Sequence, residues 1–129
     1  ILDIGGRKKE FLKNCPFNFK GEYRNFEILE GYDIQKKIKI RKKYDFIIMS
    51  HVIEHLENPG IALENVKKLL KNNGRLVVCI PNALSFRHFL NYLLKRKLES
   101  YGGYETHFLS FNIETIKNCW REKDFLLKK

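Results

Sequence analysis

The sequence predicts an α/β fold, a mostly parallel sheet flanked by helices, built as a single domain over residues 1–129. Three observations lead there. The runs Tyr44–Ser50 (YDFIIMS) and Arg75–Ile80 (RLVVCI) are short and nearly unbroken in apolar residues, as strands covered on both faces are. Between them Asn58-Pro59-Gly60 opens a segment with Ala62, Val66, Leu69 and Leu70 at helical spacing. Strands separated by helices of this length are joined by crossovers, and crossovers make strands parallel.

Ile1-Leu2-Asp3-Ile4 reads as a buried strand stopped by Gly5-Gly6, where the turn needs glycine. Lys8 to Asn14 is a short helix carrying Phe11 and Leu12, and Cys15 to Gly21 is a loop holding Pro16. Tyr23 to Leu29 alternates as a strand, with Tyr23, Asn25, Glu27 and Leu29 on one side. Gly31 to Ile34 is expected as a very short strand, and Gln35 to Lys43 (QKKIKIRKK) as an exposed edge or loop. Pro59 sits in the first turn of the next helix, where its missing N–H costs nothing, and Asn72-Asn73-Gly74 is expected to cap the other end. After RLVVCI and Pro81-Asn82 a second helix covers Leu84 to Leu98, with Phe86, Phe89, Leu90, Leu93 and Leu94 on one face. Ser100 to Tyr104 is a loop, Asn112 caps a helix with Ile113, Ile116 and Trp120 in a stripe, and Asp124 to Leu127 begins a last strand.

Composition narrows the function classes. Hydrophobic residues make up 43% and aromatic residues 13% of 129 residues, too many for a disordered chain. The first residue is Ile1, already in a strand, so a fragment truncated at its amino-terminal side is the expectation. No uncharged or nearly uncharged run, Phe46 to Ile53 included, approaches the about 20 residues of a membrane-spanning helix. Cys15, Cys79 and Cys119 are widely spaced with no CxxC pair, which points to reduced thiols, Cys79 in the core, and a cytoplasmic location. Lys and Arg number 25 against 15 Asp and Glu, a net charge of +10 that would draw nucleic acid or anionic lipid, or simply solvate the surface.

In parallel sheets, ligands bind at the carboxyl ends of the strands. Those ends read Asp3-x-Gly5-Gly6, Glu27, Asp33, Ser50-His51-Val52-Ile53-Glu54-His55 and Pro81-Asn82. The segments LDIGG, YDFIIMSHVIEHLENP, LLKNNGRLVVCIPN and THFLSFNIETI resemble successive motifs of the class I S-adenosylmethionine-dependent methyltransferases. The nearest branch is the small-molecule group that includes ubiquinone-biosynthesis O-methyltransferases and enzymes of surface-polysaccharide clusters. The resemblance spans nearly the whole chain, and SHVIEHLENP followed by NNG and LVVCIPN is its specific part.

The resemblance implies a Rossmann-like fold, S-adenosyl-L-methionine as cofactor, and methyl transfer to an O or N of a small-molecule, lipid-like or saccharide acceptor. Asp3, Gly5 and Gly6 would form the turn that lets the backbone approach the cofactor. Glu27, with Glu30 as the fallback, would accept hydrogen bonds from the ribose hydroxyls, and Asp33 would lie near the adenine. Ser50 and His51 would flank the sulfonium end. His107, like a family histidine facing the pocket, and His51 are the candidate bases. Acceptor choice is expected in Pro81 to Ser110. The helix there carries Arg87, His88, Lys95, Arg96 and Lys97, so it would lid the pocket, rest on a membrane surface, or pack on the core with a solvated basic face. His51 and His55 are four apart with Glu54 between them. The order is HVIEH rather than HExxH and no third ligand is evident, so no metal is expected, and His55 is expected to pack behind the strand end.

The chain departs from the family's Asp-x-Gly-x-Gly-x-Gly at Arg7 and Lys9, where side chains would fill cofactor space or force another turn. Two further readings follow. One is a degenerate methyltransferase fold that serves as a non-catalytic binding or scaffold module. The other is a nucleic-acid-associated methyltransferase, motivated by the charge and QKKIKIRKK. It is less favoured, because the Asn/Asp-Pro-Pro-Tyr type motif is absent and no aromatics interleave the basic run. The Gly-x-Gly-x-x-Gly fingerprint of dehydrogenases is also absent.

Overall fold

A computed structural model describes residues 1–6, 13–14, 20–27, 31–36, 41–81, 90, 93–94, 114, 117–118 and 120. Its elements are β1 (Leu2–Ile4), β2 (Arg24–Phe26), β3 (Tyr44–Ser50), a 3₁₀ turn (Ile53–His55), α1 (Pro59–Leu69) and β4 (Leu70–Cys79). The sheet order is β2-β1-β3-β4, and every pairing is parallel. The chain leaves β1 for β2 on one side and then crosses to β3 on the other. The order therefore reverses at the gap between β1 and β3, where open α/β sheets bind ligands.

Register sorts the side chains. Leu2 pairs with Ile47 and Arg24, Ile4 with Met49 and Phe26, and Ile47 and Met49 with Leu76 and Val78. Paired residues share a face, so Leu2, Ile4, Phe26, Ile47 and Met49 form one apolar layer. They join Ala62, Leu63, Val66 and Leu69 of α1 in a single buried cluster. Full burial of an aliphatic side chain of this size contributes about 1.5–3 kcal/mol, which makes this face the main source of stability. Asp3, Asn25, Ile48 and Val77 lie on the opposite face.

α1 begins where local chemistry says it should. Asn58 is the N-cap, its Oδ1 accepting from the Ile61 N–H at 3.2 Å, and Pro59 follows in the first turn. Such a cap is worth about 1 kcal/mol. Its end differs from expectation. The helix stops at Leu69, not at Asn72-Asn73-Gly74, and Leu70 is already extended at φ −78° and ψ 144°. The reason is tertiary: Leu70 pairs with Tyr44, and both are buried. Pairing then resumes at Phe46 with Arg75, so residues 71–74 loop out opposite Asp45. Lys71 donates to both oxygens of Asp45, at 2.8 and 2.9 Å. Gly74 is required by crowding, since a Cβ there would lie 2.9 Å from Leu70 Cδ2 and from the Tyr44 carbonyl oxygen.

Three more expectations are corrected. Residues 31–36 form turns and no strand, because the Asp33 side chain accepts the Gln35 N–H at 2.9 Å and its carbonyl accepts from Lys36 at 3.1 Å. The strand expected over Tyr23–Leu29 is confined to Arg24–Phe26 among the described residues. β4 alternates between half-buried and exposed, and Cys79 is a free, exposed thiol outside the core. It shares with Phe46 and Val77 the face opposite α1, where Phe46 is 42% and Val77 46% exposed. The expected helix over Leu84–Leu98 is helical at its described residues 90, 93 and 94, and these three leucines are exposed. Trp120, in the expected last helix, packs against the core cluster. No helix among the described residues is long and apolar enough to cross a membrane.

Candidate cofactor site

The gap between β1 and β3 is built from backbone at close quarters. Gly5 ends β1 with φ +74°, a conformation that suits glycine, and its N–H donates to the Phe26 carbonyl at 2.7 Å. A Cβ on Gly5 would lie 2.6 Å from Val52 Cγ2, so the turn after β1 and the turn after β3 touch across the gap. Gly6 is held tighter still. A Cβ there would fall 2.1 Å from Asp3 Oδ2 and 2.8 Å from Asn25 Oδ1.

Asp3 is 2% exposed and lies under this turn, its Oδ2 accepting a hydrogen bond from the Tyr23 hydroxyl. The alternation of Tyr23, Asn25 and Glu27 places all three on the Asp3 face, which is how the two strands share the carboxylate. Burial raises the Asp3 pKa above its ordinary 3.8, against a lowering by the Tyr23 hydrogen bond and with a smaller raising by Glu27. Burial and the contact with Asp3 push the Tyr23 phenol pKa up.

The raised Asp3 value has a consequence for stability. Between the ordinary and the folded pKa, the folded chain holds a proton that the unfolded chain has released. The Asp3 contribution is therefore greatest below pH 3.8 and declines as pH rises through the folded value. Asp3→Asn keeps an oxygen for Tyr23 and removes the titration, so it is expected to flatten that descent in urea midpoints collected across acid to neutral pH. A descent of equal slope in both proteins would reject this assignment.

A hydrogen-bond chain ties the glycine turn to the end of β2. The Gly6 N–H donates to Asn25 Oδ1 at 3.1 Å, and Asn25 Nδ2 donates to Glu27 Oε1 at 2.8 Å. Glu27, just past β2, is half-buried, and its carbonyl accepts from the Tyr32 N–H at 3.1 Å. Tyr32 stacks on Phe26 with ring centroids 4.6 Å apart. Asp33 is turned inward to its own loop: one oxygen caps Gln35, and the other is 3.5 Å from Lys36 Nζ. The loop is pinned to α1 by buried Asn65, whose Nδ2 donates to the Ile34 and Lys36 carbonyls at 2.8 and 2.9 Å.

On the other side of the gap, Ser50 ends β3 exposed, paired with Cys79. His51 has φ +53°, and its N–H donates to the Cys79 carbonyl at 2.9 Å. This left-handed residue and the following 3₁₀ turn mean that no α-helix relates His51 to His55. Instead His51 Nδ1 lies 3.2 Å from Oε1 of Glu54, a carboxyl group that is 2% exposed. Among the described residues, no group of three or more metal-ligating side chains is assembled.

The structure thus gathers Asp3, Gly5, Gly6, Glu27, Ser50 and His51 at or beneath the carboxyl ends of β1, β2 and β3. Asp33 stands beside them in its own turn. His107, Glu30, Arg7 and Lys9 lie outside the described residues. Tyr23, Asn25, Val52 and Asn65 carry no site role by sequence pattern, and Glu54 figures there only between the two histidines of a weak metal motif. The period-two alignment of Tyr23 and Asn25 with Glu27 was the available signal, whereas burial of Glu54 has none. A surface hollow lined by Lys43, Asp45, Lys71, Asn72 and Asn73 lies at the amino ends of β3 and β4, far from these groups.

Known proteins agree with this architecture. The chain is 29% identical over 132 residues to the uncharacterized protein MJ1123 of Methanocaldococcus jannaschii, covering 90% of this chain and 61% of that one. Among solved structures, it superposes on TM1293 of Thermotoga maritima with a TM-score of 0.69 and 18% identity, over 98% of this chain and 63% of that one. That protein is described as a SAM-dependent methyltransferase, possible histamine N-methyltransferase. BH2331 of Bacillus halodurans C-125, described as a candidate methyltransferase, gives a TM-score of 0.64 at 16% identity, over 99% of this chain and 63% of that one. The chain thus spans less than two thirds of the length of each relative. The family described as "Methyltransferase domain" matches residues 1–127. This chain belongs to that methyltransferase family and has its class I, Rossmann-like α/β fold.

Proposed function

We propose that the protein containing this domain transfers a methyl group from S-adenosylmethionine to an oxygen or nitrogen of a small-molecule, lipid-like or saccharide acceptor. The observation that carries the reading is the hydrogen-bonded run from Gly6 through Asn25 to Glu27 at the open end of the sheet. It fits the cofactor chemically. Gly5 and Gly6 bring bare backbone to the gap, and Asn25 orients a carboxylate suited to the paired hydroxyls of a ribose. When bound, the cofactor supplies an already activated methyl on a sulfonium. The domain's residues then have to hold the acceptor in line and exclude water, positioning that can supply several kcal/mol of barrier lowering.

Calorimetric titration of the full-length protein with S-adenosylmethionine tests this directly, and absence of binding would favour the non-catalytic scaffold reading. Glu27→Ala is expected to weaken binding by about 10- to 100-fold, the loss of about 1.5–3 kcal/mol from charged hydrogen bonds. Equal affinities would remove Glu27 from the site. The basic charge gives the nucleic-acid reading its one support, and Lys36 and Lys42 of that run sit in ion pairs with Asp33 and Glu22.

A further inference from the structure

We infer that Glu54 is a positioning residue for His51: it holds the imidazole by Nδ1 and leaves Nε2 facing the gap as the proton acceptor for a hydroxyl substrate. The inference rests on the methyl-transfer reading above and assigns a role within it.

Three observations meet at this pair. Glu54 is 2% exposed, yet neither of its carboxyl oxygens has a hydrogen-bond partner among the described residues. A buried polar group without a partner costs about 1–3 kcal/mol, so its retention calls for a task. Among the described residues, His51 Nδ1 comes within reach, at 3.2 Å from Oε1. The distance suits a hydrogen bond but the alignment is incomplete, a common state of catalytic pairs before the substrate seats.

His51 itself is held in a left-handed conformation that non-glycine residues rarely adopt. Its N–H bond to the Cys79 carbonyl fixes the backbone, and its side chain is 62% exposed. Backbone strain concentrates where a side chain must be aimed. Here it brings the imidazole to the 3₁₀ turn, so that Nδ1 meets the buried carboxyl group, and the other nitrogen is assigned to the open end of the sheet.

The nitrogen that carries the proton in a neutral imidazole is set by the hydrogen bond the other nitrogen makes. Free histidine favours the proton on Nε2, the wrong form for a base acting through Nε2. An acceptor at Nδ1 reverses the preference, as the third member of a nucleophile–base–orienter set does. For a hydroxyl acceptor the step then balances. The acceptor oxygen bonds the methyl carbon, the carbon–sulfur bond leaves its electron pair on sulfur, and the hydroxyl proton passes to His51 Nε2. The positive charge that began on sulfur ends on the imidazole.

The tautomer can be read by nitrogen-15 NMR of the full-length protein, at a pH where His51 is neutral and with no cofactor present. In the wild type the Nδ1–H form is expected to dominate. Glu54→Leu, an apolar replacement of similar volume, is expected to make Nε2–H the major form, whereas Glu54→Gln keeps an acceptor oxygen and should retain Nδ1–H. The same tautomer in wild type and Glu54→Leu would overturn the inference. If the leucine variant does not fold, a wild-type spectrum dominated by Nε2–H overturns it equally. Because the spectrum needs no cofactor, its failure is separate from a failure to bind S-adenosylmethionine, which would refute the activity and leave the pair standing.

Discussion

Gly6→Ala is expected to abolish calorimetrically detectable S-adenosylmethionine binding and to lower stability by about 2–3 kcal/mol, the usual range for disrupting a buried polar cluster. The cause is contact, not backbone conformation. Gly6 shows no positive φ, but its added methyl would lie 2.1 Å from Asp3 Oδ2 and 2.8 Å from Asn25 Oδ1. Asp3 cannot yield freely, because it is buried and bonded to Tyr23. Asn25 cannot yield without breaking the bond from the Gly6 N–H and turning away from Glu27. One methyl group therefore disturbs the turn after β1 and the carboxylate after β2 together. Gly31→Ala is the control, with φ +84° and no atom within 4 Å of a new Cβ. It should cost only the conformational term of about 1–2 kcal/mol and leave binding intact. Urea denaturation and calorimetry on both variants check the contrast. A Gly6→Ala protein that binds and unfolds like wild type would show that the turn does not have this geometry.

Asn65→Leu should be comparably damaging to stability, by about 2–4 kcal/mol, since it strips the donors from two carbonyls at about 1–3 kcal/mol each. Asn65 is 7% exposed and donates to the carbonyls of Ile34 and Lys36, which fastens the 33–36 turn to α1. The same turn reaches α1 a second time, through Gln35 Oε1, which accepts the Asn58 N–H at 2.7 Å. Leucine fills the space without either hydrogen bond. Faster hydrogen exchange is expected at the Gln35 amide, which Asp33 caps, and at the Asn58 amide, which Gln35 holds. Unchanged exchange at both, with an unchanged urea midpoint, would mean that the turn is held by other contacts.

These two sites show where reading the sequence succeeds and where it stops. β3 occupies the span read for it, because a short, mostly apolar run such as YDFIIMS suits a parallel strand. α1 starts at the Asn58-Pro59 signal, because a side-chain cap and a fixed φ act within one turn of chain. The Gly5-Gly6 turn and Glu27 stand at strand ends, as period-two and glycine signals imply. The end of α1 differs from the local cap signal because the long-range pairing of Leu70 with Tyr44 outweighs it. Cys79 is exposed despite its place in an apolar run, because such a run does not say which of its faces is covered.

The parallel α/β order, the start of the crossover helix and the residue types at the strand ends are legible in the sequence, because they follow from periodicity and local hydrogen bonding. The place of Asp3 beneath Gly6, the link from the glycine turn through Asn25 to Glu27, and the contact of His51 with a buried Glu54 emerge from the fold alone. The physical reason is that burial and contact belong to pairs of segments. No single stretch of chain carries the information about what will be packed against it.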